Sequence, residues 1–232
     1  MTRGMTEGSI ADRLSKAFHS NRAHALKALL LAGKRSGRPT RVLDLGGRFE
    51  FWRRLGLDFL IEHDLHVTIL NLTADEAGSS APPHANVDYA VGDACRTGMP
   101  DDSYDVVVSN SVIEHVITWS NMIDFARETR RLAPAYYCQT PNFWFPIDPH
   151  YYRFPMFHWL PRPTRAWLFR TFAVAQGGKA SSVLKSFELV DAARLLSRTQ
   201  MAALFPDAVI RGERVLGLFM KSFVATRTDR RL

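Results

Sequence analysis

Polar residues and glycines follow three apolar stretches of the sequence, where residues of these types could bind a ligand. Residues 42–47 read Val-Leu-Asp-Leu-Gly-Gly, residues 91–94 read Val-Gly-Asp-Ala, and residues 109–116 read Ser-Asn-Ser-Val-Ile-Glu-His-Val. Glycine lets a backbone approach a ligand closely. A carboxylate can accept hydrogen bonds from that ligand. Each motif alone is compatible with an ordinary tight turn, but the three together are far more specific for a binding site.

A second group of residues could move a proton. His115 ends the third motif, and Asp148 and His150 lie in the sequence Pro-Ile-Asp-Pro-His-Tyr-Tyr of residues 146–152. A histidine or carboxylate can act as a general base on a hydroxyl group. The structural alternatives are a histidine that packs or caps the next helix and hydrogen bonds that stabilise a loop. Glu114 is another carboxylate here, but we expect it to face solvent or to cap.

Short apolar stretches alternate with helical ones in the part of the chain that carries the motifs. We predict strands at residues 41–45, 66–70, 87–91, 104–109 and 135–139, with helices at 9–33 and 118–132. This alternation predicts a parallel sheet that is covered on both faces. The motifs then lie at the carboxyl ends of the strands, which is the edge where open α/β sheets bind ligands.

The remainder of the chain has a different character. Six prolines stand among large aromatic residues between positions 140 and 163, and they exclude a long helix or a central strand there. We predict an ordered insertion, then helices at residues 164–175, 187–196 and 199–204. Two final strands, at 208–214 and 218–225, form an antiparallel pair.

These motifs resemble the class I S-adenosylmethionine-dependent methyltransferases of the small-molecule branch. The likeness runs from about residue 41 to 139 and includes the final two strands, and residues 92–116 are its most specific part. It implies an α/β, Rossmann-like sheet of seven strands, mostly parallel with an antiparallel last strand, and helices on both faces. It also implies a single domain over residues 1–232, with a helical cap (1–40), a cofactor-binding core (41–140), a lid insertion (141–186) and C-terminal helices and strands (187–232).

The resemblance implies S-adenosyl-L-methionine as the cofactor and assigns residues to it. By this likeness Asp44, Gly46 and Gly47 surround the amino-acid part of the cofactor. Asn71, with Leu72 beside it, takes the ribose position. The adenine position corresponds to Gly92, Asp93 and Ala94. The floor of the site corresponds to Ser109, Asn110 and Ser111.

Two departures from the family pattern concern the same site. Arg48 and Glu50 stand where the family's first loop has further glycines, and Asn71 stands where it has an acid. An amide donates and accepts hydrogen bonds but lacks the stronger charge-assisted form. We expect these changes to weaken or reshape cofactor binding.

The implied function is methyl transfer to a small molecule or saccharide, most simply at oxygen. A hydroxyl acceptor must lose its proton, and His115, His150 and Asp148 are the predicted catalytic residues. The insertion is expected to contain the acceptor pocket. Its aromatic residues could line that pocket, although we expect most to fill the core beneath it: Phe143, Trp144, Phe145, Phe154, Phe157 and Trp159. Its arginines could attract an anionic acceptor: Arg153, Arg162, Arg165 and Arg170.

Charge and composition limit the remaining classes of partner. The net charge is +7, but residues 42–148 carry −9 and residues 149–187 carry +6. This division argues against a continuous phosphate-binding surface, so no nucleic acid partner is expected. A lipid-linked or anionic glycan acceptor and a peripheral membrane contact fit the basic aromatic stretch. With two cysteines and no paired metal-ligand spacing, neither a disulfide framework nor a metal site is expected.

Three other functions remain open from the sequence. A non-catalytic binding protein on this fold would explain the altered first loop. A nucleic-acid methyltransferase would explain the basic isoelectric point. A nicotinamide-binding protein ranks last, because the Gly-x-Gly-x-x-Gly fingerprint is absent after the first strand. No apolar run is long enough to span a bilayer, so we predict a cytoplasmic protein.

Overall fold

One seven-stranded sheet organises the chain. The computed structural model describes residues 22–73, 84–151, 154–174, 178–215 and 219–228. The strand order is β3-β2-β1-β4-β5-β7-β6. The strands are β1 (Thr40–Leu45), β2 (Leu65–Asn71), β3 (Val87–Val91), β4 (Val106–Asn110), β5 (Ala135–Pro141), β6 (Val209–Val215) and β7 (Phe219–Arg227). β7 pairs antiparallel with β5 and β6, and the other pairs are parallel. The predicted fold class is confirmed.

Seven helices surround the sheet in the described part of the chain. They are α1 (described over 22–32), α2 (Phe49–Leu55), α3 (Leu57–Glu62), α4 (Trp119–Arg131), α5 (Arg162–Thr171), α6 (Val183–Asp191) and α7 (Arg198–Leu204). Short 3-10 turns lie at Ile113–His115 and Phe157–Trp159. None of the described helices is long and apolar enough to cross a membrane.

Both faces of the sheet are buried by helices. Val42, Val106 and Val108 point to one face, where Leu26 of α1 and Trp52 of α2 pack. Leu43 and Val107 point to the other, together with side chains of α4 and α7. Because successive residues of a strand face opposite sides, a strand buried on both reads as a continuous apolar run. Of the residues predicted to share a face of the first helix, Leu26, Leu29 and Leu30 are buried, while Leu14 and Phe18 lie outside the described residues.

The insertion after β5 has an apolar core of its own. Tyr151, Phe157 and Phe169 pack there with residues of α5 and α6. Of the six aromatic residues expected mostly in the core, only Phe157 is fully buried, and Trp144 is 66% exposed. That expectation was wrong, because the 3-10 turn and α5 already fill the space above the sheet edge.

Two helices begin earlier than their patterns predicted. Helix α5 starts at Arg162 with Pro163 in its first turn, where proline costs no helical hydrogen bond. Helix α6 covers Val183–Asp191 instead of 187–196, because the Ser182 hydroxyl caps it by accepting from the Lys185 N–H. The following residues form no helix up to Leu196, which forms a parallel bridge with Asn142.

Candidate functional site

A groove runs along the carboxyl edge of β1, β2, β3 and β4. It consists of two pockets of about 830 and 480 Å³, which share Gly46, Arg48 and Ser111 in their lining. The chain reverses direction of sheet growth between β1 and β4, and such a switch point opens a crevice at the strand ends. Arg22 of α1 closes one end, where its guanidinium donates to Asn110 Oδ1 (3.2 Å) and Glu213 Oε1 (2.9 Å).

Asp44 is a buried carboxylate at the head of this groove. Only 1% of the residue is exposed. Its Oδ2 accepts from the Trp52 indole N–H at 2.6 Å, whereas Oδ1 is buried and has no partner among the described residues. Burial raises the pKa of Asp44 to about 7, and the Trp52 hydrogen bond opposes that rise. A cationic group in the groove would favour the ionised carboxylate.

The two glycines after Asp44 are fixed by geometry. Gly46 has a φ of 72°, and a Cβ there would lie 2.5 Å from Val112 Cγ1. A Cβ on Gly47 would lie 1.7 Å from Asp44 Oδ2. The next residue, Arg48, is extended (φ −132°, ψ 145°), which any side chain allows. Glu50 is inside α2, where its carboxylate binds Arg53 and Arg54. The first loop thus lacks the family's later glycines only at positions where the backbone does not need glycine.

Asn71 links the ends of β1 and β2. Its Nδ2 donates to the Gly47 carbonyl at 3.0 Å, and the Gly46 N–H donates to the Leu70 carbonyl at 2.8 Å. An aspartate could not donate to that carbonyl, so the amide gives the glycine loop a support that the usual acid lacks. Beside it Leu72 is 63% exposed and presents an apolar side chain to the smaller pocket.

The β3 end forms the outer part of the smaller pocket. A Cβ on Gly92 would meet Leu70 Cδ1 at 3.1 Å. Asp93 accepts from the Cys95 N–H at 2.8 Å, and together with Gly92 and Ala94 it lines the pocket. Its carboxylate is thereby held at the strand end.

The β4 end separates the three residues that were predicted as one floor. Asn110 and Ser111 line the larger pocket. Ser111 has a φ of 58°, and its hydroxyl donates to Gln139 Oε1 at 2.8 Å. Ser109 is fully buried inside the sheet and lines neither pocket. Its side chain points into the core because it alternates with Asn110 along the strand.

The three predicted catalytic residues lie in one continuous chain of polar contacts. His150 Nδ1 lies 2.7 Å from Asp148 Oδ1, and His150 Nε2 lies 3.1 Å from His115 Nε2. The other nitrogen of His115, Nδ1, lies 2.9 Å from the Ala192 carbonyl oxygen. His115 also lines the smaller pocket of the groove. The structure therefore connects the insertion after β5 to the groove through two imidazoles.

The environments of the two imidazoles differ. Partial burial lowers the pKa of His115, and the Ala192 carbonyl opposes this. Burial acts in the same direction on His150, but the hydrogen bond and charge of Asp148 outweigh it, so the pKa of His150 is raised. Asp148 itself is 1% exposed and also accepts from the His150 backbone N–H at 2.9 Å. The carboxylate orients the ring of His150.

Glu114 differs from the sequence prediction. It was expected at solvent or as a cap, but it is fully buried, and its Oε2 accepts from the Thr140 hydroxyl at 2.9 Å. Burial raises the pKa of Glu114 to about 7. One ligand atom each from Glu114, His115 and His150 lies within 4.8 Å of the others. The 3-10 turn causes this, because it sends adjacent side chains to the interior and to the groove.

Comparisons with known proteins agree with this architecture. Residues 41–134 match a family model described as a methyltransferase domain. The similarity to a methyltransferase domain thus extends from β1 to α4 and includes the strand ends that form the groove. No curated protein matches the sequence.

Solved structures that are similar to this chain have low sequence identity to it. The PH0226 protein from Pyrococcus horikoshii OT3 is 15% identical over 91% of both chains, with a TM-score of 0.53. The CurJ carbon methyltransferase is 14% identical over 84% of this chain and 50% of its own, with a TM-score of 0.52. A protein from Galdieria sulphuraria, assigned as a sarcosine dimethylglycine methyltransferase, is 18% identical over 53% of this chain (TM-score 0.40). The chain spans 45% of that protein and half of CurJ.

The groove fits S-adenosylmethionine, the cofactor of this domain. Asp44 offers an unpartnered, buried carboxylate oxygen toward a ligand that carries positive charge. Gly46 and Gly47 line the groove with backbone, and neither position has room for a Cβ because Val112 and Asp44 already occupy that space. Asn71 and Asp93 offer polar groups for a ribose and an adenine, beside the apolar Leu72. When bound, S-adenosylmethionine supplies a methyl group on a sulfonium, and the chain's residues provide alignment and exclude water.

Proposed function

We propose that this chain is an S-adenosylmethionine-dependent O-methyltransferase that acts on a small molecule or saccharide. The observation that carries the proposal is the position of His115, which lines the groove and is joined through His150 to the buried Asp148. Amine and carboxylate acceptors do not need a group that assists loss of a hydroxyl proton. A cluster of this kind at the groove therefore favours a hydroxyl acceptor.

The proposed reaction is an in-line displacement. The acceptor O–H bond breaks and its proton leaves at the imidazole cluster. The acceptor oxygen forms a bond with the methyl carbon, and the carbon–sulfur bond breaks with its electron pair on sulfur. The sulfonium thereby becomes a neutral thioether, and the positive charge passes with the proton to the imidazole cluster. His115 and His150 assist the proton's departure, and Asp148 orients them.

A third pocket supports a saccharide or anionic acceptor. It has a volume of about 850 Å³, and Trp144, Arg165 and Arg194 contribute to its lining. The backbone of Arg194 donates to the Glu114 carbonyl at 2.7 Å, so this pocket adjoins the imidazole cluster. An exposed indole can stack on a sugar ring, and guanidinium groups bind phosphate or carboxylate. Of these residues, Arg165 belongs to the basic aromatic stretch of residues 149–187.

Exposed apolar side chains on the insertion extend this proposal to a lipid-linked acceptor. Trp159, Trp167 and Phe172 are 40%, 59% and 50% exposed, and Arg170 lies beside them on α5. Aromatic residues with neighbouring arginines suit the surface of an anionic membrane. We expect sedimentation with vesicles that contain anionic lipid at moderate salt, and weaker sedimentation of Trp167→Ala. Absence of vesicle binding would exclude the membrane contact and leave a free acceptor.

The decisive experiment measures transfer of a labelled methyl group from S-adenosylmethionine. The panel contains saccharides and phenols, with matched amines and carboxylic acids. We expect an alkali-stable methyl ether, since a methyl ester would hydrolyse. His115→Gln should lower the rate by about 10²-fold or more. The control His66→Gln, at a half-buried residue near the start of β2, should not. Transfer to amines or carboxylates that does not depend on His115 would refute the proposal.

A further inference from the structure

In their neutral forms, the two imidazoles of the cluster face each other through nitrogens that carry no proton. His115 Nδ1 lies 2.9 Å from a backbone carbonyl, which can only accept a hydrogen bond, so Nδ1 carries the proton. His150 Nδ1 likewise donates to the Asp148 carboxylate. In the neutral rings both Nε2 atoms then carry lone pairs. These lone pairs meet at 3.1 Å, a contact that needs a positive charge between or beside them.

The separations suit one metal ion. At metal–nitrogen distances of about 2.0–2.1 Å, two imidazole nitrogens on the same ion lie about 2.9–3.4 Å apart, which includes the observed 3.1 Å. The ligand atoms of Glu114, His115 and His150 all lie within 4.8 Å of one another. Glu114 Oε1 is buried and has no hydrogen-bond partner in the described part of the chain. A small closure of the three side chains would satisfy all three ligand atoms.

The surrounding groups are those that orient metal ligands. Histidines bound to metals usually donate their other ring N–H to a carboxylate or a backbone carbonyl. His150 does the first with Asp148, and His115 does the second with Ala192. Thr140 holds the remaining oxygen of Glu114. The three candidate ligands are thus already aligned by their neighbours.

We propose that Glu114, His115 and His150 bind a divalent transition-metal ion. Two imidazoles and one carboxylate suit Zn²⁺, Co²⁺ or Fe²⁺, whereas Mg²⁺ and Ca²⁺ prefer oxygen ligands. Because His115 lines the groove, an ion held by this cluster would adjoin the groove. This inference deepens the proposed function and rests on it for its role. With the ion bound, His115 and His150 would be its ligands instead of the proton acceptors, and the ion would lower the pKa of an acceptor hydroxyl, whose proton then passes to solvent.

The test is titration of the metal-free full chain with Co²⁺, followed by its visible ligand-field absorption. We expect one equivalent to bind at micromolar concentration. Glu114→Gln should weaken binding by more than tenfold. Asp148→Asn, which removes no ligand, should weaken it by about 10–100-fold through the orientation of His150. His66→Gln is the control for surface histidines, and circular dichroism verifies that each variant is folded.

The outcomes separate this inference from the proposed function. Co²⁺ binding that Glu114→Gln and Asp148→Asn weaken, with methyl transfer that a chelator stops and Zn²⁺ or Co²⁺ restores, supports both. Methyl transfer to a hydroxyl without Co²⁺ binding overturns the metal site and leaves the proposed function intact. Co²⁺ binding at this site without methyl transfer to any hydroxyl supports the site and refutes the function. Binding that only His66→Gln weakens overturns the site.

Discussion

The cofactor groove and the imidazole cluster are neighbours, but they are formed in different ways. The groove consists of backbone at four strand ends, supported by hydrogen bonds such as Asn71 Nδ2 to the Gly47 carbonyl. The cluster consists of side chains from a 3-10 turn and a proline-rich segment that are 35 residues apart. A groove formed by backbone should respond to small steric changes, whereas a cluster formed by side chains should respond to changes in chemistry.

The sharpest division between the two regions is expected from His150→Gln. The side chain lies beside the groove without lining it, so the affinity for S-adenosylmethionine should change less than twofold. Methyl transfer should fall by about 10²-fold or more, because glutamine has no basic imidazole nitrogen. Calorimetry with S-adenosylmethionine and turnover with a hydroxyl acceptor provide the two measurements. Loss of affinity equal to the loss of turnover would show that the regions are one unit.

The converse effect is expected from Gly47→Ala. The new Cβ would lie 1.7 Å from Asp44 Oδ2, so the loop or the carboxylate must move. We expect cofactor affinity to fall by about 10²-fold, which corresponds to about 2.7 kcal/mol. Gly98→Ala is the control for general destabilisation, because a Cβ there has open space but the φ of 67° strains any L side chain. Equal loss of affinity in both variants would mean that general destabilisation is responsible.

These two variants also mark how much the sequence predicted. Asp44, Gly46, Gly47, Asp93 and Ser111 lie within short motifs, and the parallel sheet brings strand ends together, so the groove followed from local pattern. His115 was predicted as a candidate in one segment, and Asp148 with His150 in another. The contact between these segments depends on how residues 141–150 pass over the sheet edge, which no local pattern predicts. Burial of Glu114 was missed because no local pattern distinguishes the inward from the outward residue of a 3-10 turn.

The pH dependence of cofactor affinity should reflect Asp44. Burial raises its pKa to about 7 in the ligand-free chain, and a cationic ligand favours the ionised carboxylate. Below about pH 7, binding of the cofactor must therefore release a proton from Asp44. The affinity should fall by up to tenfold for each unit by which the pH decreases. Affinity should be nearly constant above that pH. Calorimetry between pH 5.5 and 8.5 measures this slope.

Asp44→Asn is the control for that slope. It keeps the size of the side chain and an acceptor for Trp52, but it cannot ionise. The same group affects stability with a defined sign. Its folded-state pKa is raised, so its contribution is fully present below the unfolded value of 3.8 and is lost as pH rises through about 7. Asp44→Asn should therefore unfold at a higher temperature than the parent chain at pH 8. If Asp44→Asn leaves the pH dependence of cofactor affinity unchanged, that dependence comes from another titratable group.

A smaller effect is expected from Asn71→Asp, which restores the acid of the family pattern. The carboxylate would face the Gly47 carbonyl, to which the amide now donates at 3.0 Å. Loss of this hydrogen bond and an unfavourable contact between oxygens cost about 1–1.5 kcal/mol. We expect S-adenosylmethionine to bind about tenfold more weakly, as measured by calorimetry. Tighter binding would mean that a direct charge-assisted bond to the cofactor outweighs support of the loop.

Arg48→Gly restores the family pattern at another position and is the matched comparison. Arg48 has φ −132° and ψ 145°, a conformation that gains nothing from glycine, so cofactor affinity should change less than twofold. The two substitutions test different things. Asn71→Asp removes a hydrogen bond that supports the loop, whereas Arg48→Gly changes a residue whose backbone conformation does not require glycine. If Asn71→Asp weakens binding and Arg48→Gly does not, the departures are accommodated by this groove's own hydrogen bonds. If both strengthen binding, the groove is a weakened form of the family site.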